Sequence, residues 1–156
     1  MTPNEIMARA IALSRSEMRE KGYRPFAAII ARNGEIVAEG CNDSVATFDP
    51  TAHGEVVAIR NATRKLGTAD LSGHQIYTTC EPCSLCVAAI YWAKLDKMYY
   101  ANTLGDCAEL GIDCDPLVAE VSKPVEERKL PAERIMAAEA HTVFDEWVTL
   151  PSFDRP

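Results

Sequence analysis

The sequence predicts an α/β protein: a three-layer α/β/α sandwich with a central mixed sheet of five strands. Short segments rich in β-branched and aromatic residues alternate with longer segments of helical periodicity, which is typical of a sheet covered by helices. The first two strand segments flank Asn33-Gly34, a pair typical of a β-hairpin turn. The first strand pair is therefore expected to be antiparallel. Since the chain has 156 residues, we expect a single domain over residues 1–156.

Each element rests on its own pattern. Apolar residues at helical spacing predict the helices, and short apolar runs predict the strands. Gly67 ends the amphipathic helix that follows His53, and Pro82 opens the next helix, because proline suits the first helical turn. In chain order we expect helix 4–20, strands 26–31 and 36–40, helix 53–66, strand 75–80, a helix from Pro82, strand 97–101, helix 104–111, a strand near 133–138 and a helix near 142–149.

Charge and hydropathy exclude several classes of protein. The 16 basic and 23 acidic residues give a net charge of −7, which opposes long-range attraction to phosphate, and no cluster of five Lys or Arg residues occurs. We therefore expect a small-molecule substrate and no nucleic-acid partner. No run of 18 apolar residues occurs, so no membrane span is expected. The first residues lack the layout of a signal peptide, and we expect a cytoplasmic protein.

Three residues form a plausible metal site. Cys83 and Cys86 make a C-x-x-C pair, which indicates metal binding or redox chemistry. In a helix they lie on one face, close to its positive N-terminal end, which favours thiolates. His53 starts another helix. Catalytic zinc sites use three protein ligands and leave one position open, so we expect one Zn²⁺ per chain on these three residues.

Glu55 is the expected proton carrier of this site. It follows His53 by two residues, so both side chains can reach past the same helix N-terminus toward a common point. A carboxylate there can take a proton from a water molecule whose pKa zinc has lowered and pass it to a leaving nitrogen. His53-x-Glu55 with Pro82-Cys83-x-x-Cys86 matches the H-x-E…P-C-x-x-C signature of zinc nucleobase deaminases.

The two cysteines of the C-x-x-C pair also allow two other interpretations. A thioredoxin-like redox pair also follows a strand and opens a helix, but it leaves His53 and Glu55 without a role. A structural zinc site has four protein ligands, with Cys80 as the available fourth, and would make the protein a binding module without catalysis. Such a site has no use for a carboxylate beside an open metal position.

The chain resembles bacterial guanine deaminases of the cytidine-deaminase-like superfamily through most of its length. The stretches that carry the resemblance are Arg24-Pro25-Phe26 with Ala27, Asn33-Gly34, Asn42, 49–60 (DPTAHGEVVAIR), 77–86 (YTTCEPCSLC), 89–93 (AIYWA) and 123–131 (KPVEERKLP). The DPTAH-x-E and EPC-x-x-C parts are shared with tRNA adenosine deaminases. The last two stretches are similar to the guanine deaminase branch.

This resemblance implies a cytidine-deaminase-like fold and a hydrolase that acts on a cyclic amidine C–N bond. The implied reaction converts guanine to xanthine and releases ammonia. By similarity, Asn42 hydrogen-bonds the base, and Phe26 and Trp92 help to form its pocket. The family typically forms homodimers, and the resemblance implies that a C-terminal segment at about 140–156 is exchanged between the two chains.

The chain departs from the family in parts that read the substrate. Guanine deaminases place an acidic residue after the helix near 104–111, where this chain has Cys114 between Asp113 and Asp115. We expect Asp113 and Asp115 to contact the substrate. The tail 153–156 (FDRP) lacks the terminal Tyr of the family. Alternative substrates are an s-triazine such as ammeline, isocytosine, a cytosine-like base or a nucleoside, and less favourably a tRNA adenosine.

Overall fold

The computed structural model describes residues Met1–Ser152. The chain divides into two compact units, one formed by Met1–Ala119 and one that begins at Glu120, and each is described by itself. The tail at 153–156 and its expected role lie outside the described residues. No helix in the described part of the chain is both long and apolar enough to cross a membrane.

The elements follow the expected order along the chain. The elements are α1 (Pro3–Lys21), β1 (Arg24–Arg32), β2 (Glu35–Asn42), α2 (Ser44–Thr47), α3 (Gly54–Leu66), β3 (Gln75–Cys80), α4 (Ser84–Trp92), β4 (Lys97–Asn102), α5 (Leu104–Glu109), α6 (Asp115–Val121), a 3₁₀ turn (Val125–Glu127) and α7 (Ala137–Trp147). The short helices α2 and α6 were not predicted.

The mixed sheet is confirmed, but the described residues contribute four strands to it instead of five. The strand order is β2-β1-β3-β4, with β1 antiparallel to β2 and β3, and with β3 parallel to β4. The predicted hairpin turn is present, and Asn33 and Gly34 adopt φ of 51° and 79°. These positive values are those that an Asn-Gly hairpin turn requires.

The fifth strand predicted near 133–138 is wrong for the described residues. The segment from Pro131 to Ile135 has no regular structure, and Met136 caps the N-terminus of α7 at a φ of 51°. A strand needs a neighbouring strand for its backbone hydrogen bonds, and this exposed segment pairs with none of the described strands. The apolar residues that suggested a strand belong instead to the approach to a helix that begins earlier than expected.

Three layers form because successive residues of β1 point to opposite faces of the sheet. Ala28 and Ile30 pack with the helices α3 and α4, in a cluster that includes Ala58 and Ile90. Ile29 and Ala31 pack on the other face against Ile6 and Ala10 of α1, together with Tyr77. The apolar run of β1 is therefore buried on both faces, which confirms the predicted α/β/α sandwich.

Two glycines allow α3 to approach the sheet at main-chain distance. A Cβ atom on Gly40 of β2 would overlap the main-chain nitrogen of Ala58 in α3. A Cβ atom on Gly54, the first residue of α3, would lie 2.8 Å from the carbonyl oxygen of Phe26 in β1. Only glycine fits at such contacts. The N-terminus of α3, with His53 before it and Glu55 in its first turn, is therefore fixed directly against the hairpin.

Candidate active site

The three predicted metal ligands converge at the N-termini of two helices. His53 is the N-cap of α3, Cys83 is the N-cap of α4, and Cys86 lies in the first turn of α4. The Nδ1 atom of His53 lies 3.6 Å from the Sγ of Cys83 and 3.4 Å from the Sγ of Cys86, and the two sulfurs are 3.8 Å apart. Among the described residues these three form the group of donor atoms suited to a metal ion.

The spacing of the three donor atoms fits zinc. Bonds of about 2.3 Å to sulfur and about 2.0–2.1 Å to nitrogen, at tetrahedral angles, place two sulfurs about 3.8 Å apart and a sulfur and a nitrogen about 3.6 Å apart. The observed separations of 3.8, 3.6 and 3.4 Å agree with these values. Two sulfur donors and one imidazole are also ligands that zinc prefers. The fit supports a Zn²⁺ cofactor held by His53, Cys83 and Cys86.

The electrostatics of the ligands favour a thiolate at Cys83. Hydrogen bonding with Cys86, together with that with His53, lowers the pKa of Cys83 to about 4. The contact with Cys83 in turn raises the pKa of His53. The site therefore carries negative charge at one sulfur before a cation binds, which favours the capture of Zn²⁺.

Cys80 does not join the ligand group. Its Sγ atom lies 3.0 Å from the Sγ of Cys107, on the side of β3 that faces α5. The metal-ligating group within the described residues holds three donors rather than four. The arrangement of a structural four-ligand zinc site is therefore not formed, and a position of the metal is left for water or substrate.

Glu55 is buried beside the three ligands, with 6% of its surface exposed. Burial raises the pKa of Glu55. One carboxylate oxygen, Oε1, lies 3.4 Å from the hydroxyl of Thr78 in β3. A carboxyl group with a raised pKa binds a proton more readily than an ordinary one, which suits it to accept a proton and return it.

A cavity of about 80 Å³ opens beside Glu55 and the ligands. Its lining residues are Arg24, Phe26, Asn42, His53, Glu55, Cys80, Glu81, Cys83, Leu104, Ile112 and Cys114. Asn42 is buried, and its Oδ1 accepts hydrogen bonds from the main chain and the hydroxyl of Ser44 at 3.3 and 2.7 Å. Its amide NH₂ group is left to donate. Phe26 supplies an aromatic surface.

Three predicted substrate contacts lie elsewhere. Trp92, at the end of α4, is 72% exposed and does not line this cavity within the described chain. Asp113 accepts a hydrogen bond from the main chain of Asp115 at 2.9 Å, and the cavity is lined by their neighbours Ile112 and Cys114 instead. Roles for Trp92, Asp113 and Asp115 in binding the substrate stay predictions, as do those of Asn42 and Phe26.

Two residues that the sequence reading missed connect the site to its surroundings. Thr78 donates a hydrogen bond of 2.6 Å to the carbonyl oxygen of Cys80 and also contacts Glu55. Glu81 accepts a hydrogen bond of 3.0 Å from the main-chain N–H of Leu104, which ties the segment before Cys83 to the start of α5. Threonine is common in β-strands, so the sequence pattern gave no indication that Thr78 contacts Glu55. Glu81 stands next to Pro82-Cys83, where its position in the motif could have drawn attention.

Comparison with known proteins agrees with this geometry. The family model described as the cytidine and deoxycytidylate deaminase zinc-binding region matches residues 1–102. The guanine deaminase of Bacillus subtilis is 39% identical over 147 residues, which cover 94% of each chain. The X-ray structure of guanine deaminase from Bacillus subtilis covers 99% of each chain with a TM-score of 0.94 and 37% identity.

Two further relatives match parts of the chain. A structure of guanine deaminase from Nitrosomonas europaea is 29% identical, covers 69% of this chain and 62% of its own, and gives a TM-score of 0.66. The tRNA-specific adenosine deaminase of Aquifex aeolicus is 40% identical over 82 residues, which are 53% of this chain and 54% of that protein. Together with the zinc-ligand geometry, these matches show that the chain belongs to the cytidine and deoxycytidylate deaminase family of zinc-dependent enzymes, in the branch that contains the guanine deaminases.

Proposed function

We propose that this protein hydrolyses the exocyclic amine of a free nucleobase, with guanine as the substrate, xanthine as the product and ammonia as the leaving group. The observation that carries the proposal is the position of Glu55, a buried residue that lines the same cavity as two of the three zinc ligands, His53 and Cys83. The similarity to a guanine deaminase over 94% of both chains supports guanine as the substrate.

Glu55 performs the proton transfers of the reaction. Zinc, when bound by His53, Cys83 and Cys86, supplies a Lewis acid that lowers the pKa of water. Glu55 takes one proton from the attacking water and delivers it to the ring nitrogen beside the attacked carbon. It then takes the second proton from the new hydroxyl group and delivers it to the exocyclic nitrogen, so that the C–N bond breaks, a carbonyl group forms and ammonia leaves. Because the carboxyl group is buried and its pKa is raised, it holds the transferred proton instead of losing it to solvent.

The cavity walls bind and orient the base. Phe26 offers an aromatic surface on which a planar heterocycle can stack. Asn42 offers an amide donor, held in place by its two bonds from Ser44. Asn42 is buried and Phe26 is partly buried, so both side chains shield the base from bulk water. These features favour a planar heterocycle that carries a ring or carbonyl acceptor.

Charge separates the free-base reaction from the deamination of tRNA. A tRNA substrate requires positive surface to hold its phosphates, whereas this chain has a net charge of −7. The tRNA-specific relative matches about half of this chain, while the guanine deaminase matches nearly all of it. A small substrate is therefore favoured over a nucleic acid.

The functional unit that we propose is a homodimer of one deaminase domain per chain, with the segment at about 140–156 exchanged between the partners. The support lies in α7 of the second unit. This helix contains no buried residue, and its Val143 and Phe144 are 62% and 61% exposed. Apolar side chains of this size are normally covered, and a second copy of the chain would cover them. Light scattering after size exclusion tests the dimer, and Phe144→Asp should shift the mass toward the monomer.

A cytoplasmic location is also proposed. Its support is that all six cysteines, which lie in the described part of the chain, are free thiols. Thiols persist in this form in a reducing compartment.

The test of the reaction is ammonia release by the zinc-loaded protein across a panel of substrates. The panel contains guanine, adenine, cytosine, isocytosine, ammeline, guanosine and a tRNA. We expect guanine to give the highest kcat/KM. A higher value for ammeline, isocytosine or a nucleoside would replace guanine as the substrate, and inactivity of every free base with zinc in place would overturn the free-base proposal. Asn42→Ala should raise KM for guanine. The matched control is Asn61→Ala, at an exposed position of α3 outside the cavity lining, which should leave KM unchanged.

A further inference from the structure

Two buried cysteines outside the metal site are in direct contact. Cys80 ends β3 and Cys107 lies in α5, and they are 6% and 5% exposed. Their Sγ atoms are 3.0 Å apart. Sulfur atoms in a disulfide are bonded at about 2.05 Å, so a closure of about 1 Å would join them. No other pair of described cysteines outside the metal site has sulfurs this close.

The cavity gives a small oxidant a route to one of these thiols. Cys80 is among the residues that line the active-site cavity, whereas Cys107 is not. Burial, together with the contact with Cys107, raises the pKa of Cys80. Because the thiolate is the reactive form of cysteine, attack at Cys80 is expected to be slow, and Cys107 is placed to trap the product of that attack at once.

The contact between Cys80 and Cys107 is connected to Glu55 through one residue, Thr78. The carbonyl oxygen of Cys80 accepts the 2.6 Å hydrogen bond from Thr78, whose hydroxyl lies 3.4 Å from Glu55. On the other side, Leu104 of α5 lines the same cavity as Cys80. A bond between Cys80 and Cys107 would therefore draw the end of β3 toward α5 and move both the support of Glu55 and a wall of the cavity.

We propose that Cys80 and Cys107 are a site of reversible oxidation, in which a hydroperoxide forms an intramolecular disulfide that lowers activity while His53, Cys83 and Cys86 keep zinc. The Cys80 sulfur attacks the hydroperoxide, the O–O bond breaks, and a sulfenic acid and an alcohol (water, for hydrogen peroxide) are formed. The Cys107 thiol then attacks that sulfur and the S–O bond breaks, which gives the disulfide and one molecule of water. The two sulfurs together lose two electrons, and the hydroperoxide gains them.

The chain offers a matched control for this proposal. Cys41 is as buried as Cys107, with 8% of its surface exposed, and burial raises its pKa to about 12. It lies at the end of β2, on a different strand, and no sulfur of the described chain contacts it. Cys107→Ala removes the proposed partner, and Cys41→Ala removes an equally buried thiol that has none. Cys107→Ser replaces Cys107→Ala if the latter does not fold.

The experiment treats the zinc-loaded full chain with millimolar hydrogen peroxide, blocks remaining thiols by alkylation, and measures intact mass, cross-linked peptides, bound zinc and guanine turnover. Wild type and Cys41→Ala should lose two hydrogen atoms in mass and yield the cross-linked 80–107 peptides. Their turnover should fall at least about tenfold, because small misplacements of catalytic groups are costly, and dithiothreitol should restore it. Zinc should stay bound, and Cys107→Ala should show neither the cross-link nor a dithiothreitol-reversible loss.

The cross-link does not depend on the substrate, whereas the loss of turnover rests on the proposed function. If guanine is not a substrate, the mass and peptide measurements still decide whether the disulfide forms. Absence of the 80–107 cross-link in wild type would overturn the proposal. So would a cross-link with unchanged turnover on an accepted substrate, or a loss of activity that follows zinc release instead of the cross-link.

Discussion

The hydroxyl of Thr78 lies 3.4 Å from Oε1 of Glu55, at the buried end of β3. Its shorter contact, 2.6 Å, is with the carbonyl oxygen of Cys80, and the hydroxyl has only one proton to donate. That proton goes to the carbonyl group, so a lone pair faces Glu55. Thr78 can therefore accept a hydrogen bond from Glu55 when the carboxyl group holds the proton taken from water.

Thr78→Val should lower kcat for deamination roughly tenfold to a hundredfold, because it keeps the shape of the side chain and removes the hydroxyl. KM and zinc content should change little, since Thr78 does not line the cavity. Thr78→Ser, which retains the hydroxyl, should recover most of kcat. Steady-state kinetics with metal analysis on both variants makes the comparison, and equal losses in Thr78→Val and Thr78→Ser would contradict a role for the hydroxyl.

Glu55→Gln should retain zinc and lose turnover by a factor on the order of 10² to 10⁴, the range that a general acid–base group contributes. The amide fills the same space but cannot carry the proton. Glu35→Gln, on the exposed start of β2, is the matched control and should behave like wild type. Ammonia release and metal analysis are the measurements, and wild-type turnover in Glu55→Gln would refute the mechanism.

Cys83→Ser should bind much less zinc than wild type, because it removes one of the three donor atoms. The lost donor is also the sulfur whose lowered pKa favours the thiolate form. A chelator should inactivate the wild-type enzyme in the same way, and added Zn²⁺ should restore it. Thermal unfolding should shift downward in both cases, since metal binding contributes to folding stability. Cys41→Ala serves as the cysteine control, and full zinc occupancy in Cys83→Ser would remove Cys83 from the ligand set.

The loop that leads to His53 should become less stable in acid. Asp49 accepts hydrogen bonds from the main chain and hydroxyl of Thr51 at 2.8 and 2.6 Å, and from Arg60 of α3 at 3.0 Å. These bonds, those of Thr51 first, lower the pKa of Asp49 from 3.8. A depressed carboxyl pKa stabilises the folded state above the unfolded pKa, and this contribution is lost as pH falls through the folded value.

The difference in melting temperature between wild type and Asp49→Asn should therefore be constant near neutral pH and shrink below about pH 4. Because both proteins carry the same zinc ligands, acid release of zinc affects them alike. Differential scanning fluorimetry across a pH series gives the comparison. A difference that grows toward acid pH would show the opposite sign of linkage.

The sequence was sufficient for the local features of this site. His53, Cys83 and Cys86 lie at helix starts that Pro82 and the apolar periodicity identify, so their positions follow from short-range rules. The contact between Cys80 and Cys107 could not be predicted, because those residues are 27 positions apart and meet only when α5 folds against the end of β3. The prediction of a fifth strand was wrong for a related reason. A strand forms only where a second strand, often distant in sequence, pairs with it.

The close contact of α3 with the hairpin has a consequence for redesign of the enzyme. Gly40 and Gly54 place main chain against main chain, so the groups that carry out the chemistry are held by backbone packing with little freedom to drift. Another part of the cavity wall is formed by Leu104, Ile112 and Cys114, which lie in and after a helix of six residues. Variants at these three residues should therefore change which heterocycles are accepted while the proton transfer by Glu55 is retained. Any side chain at Gly40 or Gly54 should instead abolish turnover of every substrate.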